Sequence, residues 1–385
     1  MKKTLTRITG FILAILLAAG AFAVASAPAQ AATKTKTIAA ATLANGLQYT
    51  FKGLCYNGKN SPIHDLDGTK LAFSTVQNFA MTPDGKYVFT TSECRTGSTK
   101  HTLLTRCLAP EEPGKEAEAP YQDAHVLKKY GHGESIAVTQ PDLTKEEYHI
   151  WMACDPNSQG FGTKIVRLTY KVTDGVGKIT KRVKIKNFKK ANIKNGKATT
   201  FRGAVAPDRM NVAVDQDTNQ VMFRLHFTNL GVSYVSYDLK KLNSALNKVA
   251  NNKYYNIAKA VKWQKANVRF SPLPCDAFQS FDIIGNSIYL CGGNMQKGAQ
   301  IYQINYKLYK NGKAKEVNKE GMANVARIIK LKLKLKVAGN TLTQSSLEIE
   351  GMKLIKSGKK TFCYVNFFQN NTPIADNIGV YRFQL

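Results

Sequence analysis

One unit recurs five times along this chain, and the recurrence constrains its fold more than any other feature. Each unit opens with a short strand that carries a polar or small residue ahead of apolar ones. The five read QNFAMT (77–82), ESIAVT (134–139), RGAVAP (202–207), QSFDII (279–284) and SSLEIE (345–350). The second strands read KYVFTTSE, YHIWMAC, MNVAVDQ, SIYLCGG and FCYVNFF. The third read HTLLTRCL, TKIVRLTYK, NQVMFRLHF, AQIYQINYK and IGVYRFQL. The starts lie 57, 68, 77 and 66 residues apart. β-branched and aromatic runs broken by turn formers are strand signals. Three or four strands per unit at a long, irregular period predict a β-propeller.

Fourth strands are present for four units: HVLKKY (125–130), KRVKIKNF (181–188), VSYVSYD (232–238) and RIIKLKLKLK (327–336). The fifth unit lacks one, and LQYTFKGLC (47–55) can complete it. Closure of that kind joins distant parts of the chain and removes an open sheet edge. The reading is therefore all-β: one five-bladed β-propeller over 47–385, closed by an N-terminal strand. One short helix, DLKKLNSALNKVA (238–250), has Leu239, Leu242, Leu246 and Val249 at helical spacing and is expected between blades 3 and 4. A pair of β-sandwiches with insertions is the alternative.

The first 31 residues have the layout of a secretory signal peptide. Lys2, Lys3 and Arg7 precede an apolar stretch over 11–27, and Ala29-Gln30-Ala31 offers a small-residue cleavage site. Residues 32–46 are expected to be flexible. No later run approaches bilayer length, so a secreted, extracellular chain with no transmembrane segment is expected after cleavage.

Charge then narrows the partner. There are 55 Lys and Arg against 26 Asp and Glu, a formal net charge of +29. Such a surplus favours polyanions. Outside the cell these are anionic cell-wall polymers or anionic lipid head groups rather than nucleic acid. Segment 178–197 has nine cations and no acid, including Lys181, Arg182, Lys184, Lys186, Lys189 and Lys190. In 327–336, Lys330, Lys332, Lys334 and Lys336 alternate with leucines, which places them on one strand face. Both segments are expected on outermost strands. There the lysines would bind polyanions or simply guard an edge.

Three short patterns stand out: TTFRGAVAPDRMNVAV (199–214) with YVSYDLKKLNSAL (234–246), QSFDIIGNSIYLCGGN (279–294), and SSLEIEGMKL (345–354) with a terminal YRFQL. Together they resemble the helveticin J-like bacteriocin family. The resemblance implies a secreted antibacterial protein that binds the cell envelope without catalysis. A wall-associated lectin or adhesin is the runner-up, and a propeller glycoside hydrolase comes third.

In a propeller the first residue of each opening strand faces one mouth of the channel. Here those residues are Gln77, Glu134, Arg202, Gln279 and Ser345, a ring able to hydrogen-bond a glycan. Glu134 is the one acid in that ring, and Asp282 and Glu348 lie further along their opening strands, so the paired carboxylates of a glycosidase are not assembled and a non-enzymatic chain is expected. No cofactor is expected. No metal is expected either, because the six histidines show no metal-binding spacing and Asp65-Leu66-Asp67-Gly68 lacks the later ligands of a calcium loop. Seven cysteines in an exported chain suggest disulfides, with Cys275–Cys291 and Cys94–Cys107 as the candidate pairs and at least one thiol left over; reduced, buried cysteines are the equal alternative.

Overall fold

The computed structural model describes residues 33–52, 54, 65–66, 69–70, 72–96, 99–114, 117–194, 196–201, 203–270, 277–293, 296, 298–308, 325–337, 340–369 and 379–385. All of these beyond Thr33 belong to one compact unit. The chain is all-β. Two strands come first, β1 (Lys34–Ile38) and β2 (Leu47–Lys52), separated by a short helix α1 (Ala40–Ala44). Five antiparallel meanders follow.

The first meander is β3 (Ala72–Met81), β4 (Tyr87–Thr96), β5 (Thr99–Leu108) and β6 (Glu118–Lys128). The second is β7 (Ile136–Thr139), β8 (Glu147–Pro156), β9 (Gly162–Thr173) and β10 (Val176–Lys186). The third is β11 (Arg209–Asp215), β12 (Gln220–Phe227), β13 (Gly231–Asp238) and, after helix α2 (Leu239–Asn247) and strand β14 (Lys253–Asn256), β15 (Gln264–Phe270). The fourth is β16 (Phe278–Ile284), β17 (Ser287–Gly292), β18 (Gln300–Asn305) and β19 (Val325–Leu331). A hairpin follows, β20 (Lys334–Val337) with β21 (Asn340–Thr343). The fifth meander is β22 (Leu347–Ser357), β23 (Lys360–Gln369) and β24 (Gly379–Gln384).

Strand β2 completes the fifth meander by pairing antiparallel with β24, as expected. Its other edge pairs parallel with β6, which joins the fifth and first meanders into one eight-stranded sheet. The first strand of each meander touches the first strand of the next, and that of the fifth returns to that of the first. Five separate apolar clusters lie between successive meanders. One, between the second and third, centres on Trp151, Phe223 and Tyr237. Another, between the first and second, centres on Phe89, Tyr148 and Tyr170. Alternation builds these clusters, because each strand sends every other side chain to one face, and each meander is covered on both.

Several sequence expectations need correction. MNVAVDQ falls on the first strand of the third meander, not its second, and residues 203–207 are not in a strand. The true fourth strand, QKANVRF, lies beyond the helix, so α2 is inserted within the third meander rather than between the third and fourth. Asp238 caps α2 through the Lys241 amide at 2.9 Å, and Leu239, Leu242 and Leu246 are buried. The buried Arg167 ties the helix down by donating to Asn243 Oδ1 at 2.7 Å and Asn247 Oδ1 at 2.6 Å.

RIIKLKLKLK does not form one strand but breaks between β19 and β20. The exposure alternation survives the break: Leu331, Leu333 and Leu335 are buried, while Lys330, Lys332, Lys334 and Lys336 are exposed. Nor are the two lysine-bearing fourth strands open edges. β1 pairs parallel with β19, and β14 pairs parallel with β10. Residues 34–44, expected to be flexible, thus form a strand and a helix.

The disulfide expectation also fails. Cys94 pairs across the hairpin with His101, whereas Cys107 lies opposite Val88. Six residues of strand separate them, roughly 20 Å, far beyond the reach of an S–S bond. Cys94, Cys107, Cys154, Cys291 and Cys363 are all buried, and none is in a disulfide. Cys275 lies outside the described residues, as does the signal segment. Among the described residues no helix is long and apolar enough to cross a membrane.

Candidate active site at the converging strand starts

The starts of the five first strands converge on a polar cluster. Asn78, in a bulged stretch of β3, donates to the Glu134 carbonyl at 2.8 Å and to Ser280 Oγ at 3.1 Å, linking three meanders. Asn366 on β23 donates to the Val76 carbonyl and accepts from the Gly351 amide, both at 2.8 Å. A Cβ at Gly351 would lie 2.5 Å from Asn366 Oδ1 and 2.9 Å from Asn78 Oδ1, so only glycine admits this close approach.

On this frame stand three glutamates. Glu134 is held by Arg209, whose Nη2 and Nε lie 2.8 and 2.9 Å from one carboxylate oxygen. Arg209 also donates to the Phe278 carbonyl at 3.0 Å and stacks on Phe161, 4.4 Å from the ring centroid. Glu348 accepts from Gln279 Nε2 at 2.5 Å. Glu350 is buried. Leu347 and Ile349 point into the apolar cluster, so the even-numbered Glu348 and Glu350 take the opposite face of β22.

The electrostatics separate these acids. Burial raises the pKa of Glu350 well above its ordinary value, and the nearby carboxylates Glu348 and Glu134 add to the rise. Burial also raises Glu348, partly offset by the hydrogen bond from Gln279.

The rim around them is polar and aromatic. His132 Nδ1 lies 2.8 Å from Glu93, which also holds Lys100 at 2.9 Å and Arg95 at 2.8 Å. Asp208, beside Arg209, pairs with His226 Nδ1 at 2.5 Å and accepts from Thr228 Oγ1 at 3.1 Å. Phe161, from the β8–β9 connection, leans over both His132 and Arg209.

Sequence reasoning located part of this cluster. Glu134 and Gln279 stand in it. Gln77 is buried at the β3 bulge, and its neighbour Asn78 makes the bonds across the centre. Arg202 lies outside the described residues, and Arg209 supplies the guanidinium at Glu134. Ser345 is exposed on a 3-10 turn, Gln344–Ser346, that a Thr343–Ser346 capping box winds. That turn delays the strand to Leu347, so the fifth meander presents glutamates instead. The signal was in LEIE, where two acids alternate with two core residues.

The cationic stripes are placed as follows. Lys184 pairs with Asp155 at 2.6 Å, and Lys181 donates to the Asn247 carbonyl at 2.7 Å. Lys189 and Lys190 are exposed on a 3-10 turn. Among the described residues no group of His, Cys, Asp and Glu could hold a metal ion.

No protein-family model and no curated protein matches the chain. Solved structures do. The tail fibre of Staphylococcus aureus phage P68 aligns with a TM-score of 0.45 and 11% identity over 83% of this chain and 55% of the fibre; the chain thus spans about half of that protein. The catalytic domain of a Coprinopsis cinerea GH62 α-L-arabinofuranosidase aligns at 0.41 and 10% over 89% and 98%. A GH43 β-1,3-galactosidase aligns at 0.37 and 9% over 86% and 94%. The expectation of a non-enzymatic chain is corrected by the geometry: it rested on a single acid in the ring, whereas Glu134, Glu348 and Glu350 gather there.

Proposed function

We propose that the five meanders are the blades of a five-bladed propeller and that the chain cleaves a glycan where their inner strands start. The observation that carries this reading is the carboxylate cluster. Two part-buried acids, Glu348 and Glu134, each lie close enough to the fully buried Glu350 to raise its pKa. Glycosidic cleavage needs one carboxyl group to protonate the leaving oxygen and another to act as base or nucleophile. Glu348, raised by burial and half-exposed, is the proton donor. Glu134, fixed by Arg209, is the carboxylate that acts on the sugar or on water. Glu350, raised by burial and by both carboxylates, is biased toward its protonated form beneath them, which limits the negative charge of the site. Phe161 offers a ring face for the sugar. An exported protein acting on an envelope glycan fits the basic surface and the leader-like first 31 residues. This reading replaces the bacteriocin expectation.

The test is release of reducing ends from a panel of plant, fungal and bacterial-wall glycans by the purified chain. Glu134→Gln and Glu348→Gln should each lower turnover on any accepted glycan by roughly 10²–10⁴-fold while the protein stays folded. Binding without turnover on every glycan, or unchanged turnover in both variants, would overturn the proposal.

A further inference from the structure

A second feature lies outside the centre, on the outer strands of the second meander. Tyr254 is 45% exposed, among the most exposed large side chains described. It stands on β14, in register beside Lys184 of β10. Three ammonium groups surround its ring: Lys186 at 5.2 Å from the centroid, Lys164 at 5.6 Å and Lys184 at 5.9 Å. The pairing explains the grouping. Lys184 lies opposite Val166, two residues beyond Lys164, so alternation puts Lys164, Lys184 and Lys186 on one sheet face.

One acid answers these three cations. Asp155 accepts from Lys164 at 2.7 Å and Lys184 at 2.6 Å, which fixes both side chains. Lys186 makes no ion pair among the described residues. A formal surplus of two positive charges is thus held around an exposed aromatic face. An ordered cluster of three cations with a single internal counterion is an anion site.

We infer that this face is a docking site for a phosphodiester-linked polyol or sugar chain, such as an anionic wall polymer. Phosphates would meet the ammonium groups, and the carbons between them would lie on the Tyr254 ring. A lipid surface fits less well, because it needs several apolar side chains to insert. Val176, the other exposed large apolar residue on these strands, is ten residues from Lys186 along β10. Single-stranded nucleic acid fits less well too, since successive bases call for successive rings and only one is exposed here.

The test is binding, measured without turnover, to four probes: poly(glycerol phosphate), neutral dextran, phosphatidylglycerol vesicles and a single-stranded oligonucleotide. The polymer should bind, weaken at high salt and exceed the other three. Lys186→Gln should weaken it by roughly two- to fivefold, as expected for one exposed charge pair. Tyr254→Ala should weaken it further, and Tyr254→Phe should restore it. Lys164→Gln with Lys186→Gln gives a second variant that removes the surplus charge, leaves Asp155 paired with Lys184 and should weaken binding further. Equal affinity in all variants, equal binding of dextran, or tighter binding of vesicles or oligonucleotide would overturn the inference. The readout does not involve hydrolysis, so its failure leaves the catalytic reading standing, and the reverse also holds.

Discussion

The Glu134–Arg209 pair bridges the second and third meanders at the centre of the proposed site, and its strength can be worked out. The two side chains are only 12% and 19% exposed. Breaking a buried pair by removing one partner costs about 3–5 kcal/mol, whereas an exposed pair is worth about 1 kcal/mol or less. Exposure this low places the pair nearer the first figure. Arg209→Ala removes both contacts to Glu134, leaves the Phe278 carbonyl without its donor and strips a cation from the Phe161 face. A loss of about 3–4 kcal/mol of stability is expected. Glu134→Ala should cost about 2–3 kcal/mol. In the double variant neither charge is stranded, so the coupling from a double-mutant cycle should be about 2 kcal/mol. Urea unfolding of the four proteins, followed by circular dichroism, gives it. Coupling under about 0.5 kcal/mol, the usual error of additivity, would refute the claim that this pair is desolvated and fixed.

Three other outcomes are expected. Glu350 is raised by burial, so it keeps a proton when folded that the unfolded chain sheds above its ordinary pKa of 4.5. Its contribution is complete below that pH and is lost as pH rises through the folded value; Glu350→Gln should flatten this decline, and an unchanged slope of unfolding midpoint against pH would refute it. His149 runs the other way: burial lowers it from 6.5 to about 3, so its stabilising contribution is present above pH 6.5 and is lost as pH falls towards 3. That is at most about 5 kcal/mol, and His149→Leu should lose less stability on acidification than the wild type. Phe51, buried on β2 and edge-on to Tyr49 at 5.7 Å, should cost about 3–5 kcal/mol as Phe51→Ala, and a loss under about 1 kcal/mol in urea unfolding would show that β2 is not packed as described.

Strand content was legible because alternation is local. QNFAMT, SIYLCGG and FCYVNFF each carry their own period, and neighbours in the sheet only confirm it. Strand rank was less legible. In the third meander, RGAVAP looks like an opening strand, but Gly203 adopts φ +74 and the chain begins pairing only at Arg209. That slip passed the fourth strand to a segment beyond a helix and assigned the inward guanidinium to Arg202. The site suffered from a similar error. Ser345 precedes LEIE by the expected spacing, yet a serine–threonine capping box consumes those residues in a turn. Glu350 was hidden for a different reason: its distinctive property is burial beside two other acids, and burial is a property of the assembled sheets.

The pairing of β2 with both β24 and β6 has a kinetic consequence. Leu47 meets Tyr381, more than three hundred residues away. Closing so long a loop costs entropy that rises only logarithmically with its length, but nothing repays that cost until both partners exist. β1 waits on β19 in the same way. The ring can therefore be sealed only after the last meander has been made, and until then β6, β19 and β24 each present an unpartnered edge. Intermediates of this chain should be long-lived and prone to association through those edges, and folding should be slow for reasons of connectivity rather than of core packing.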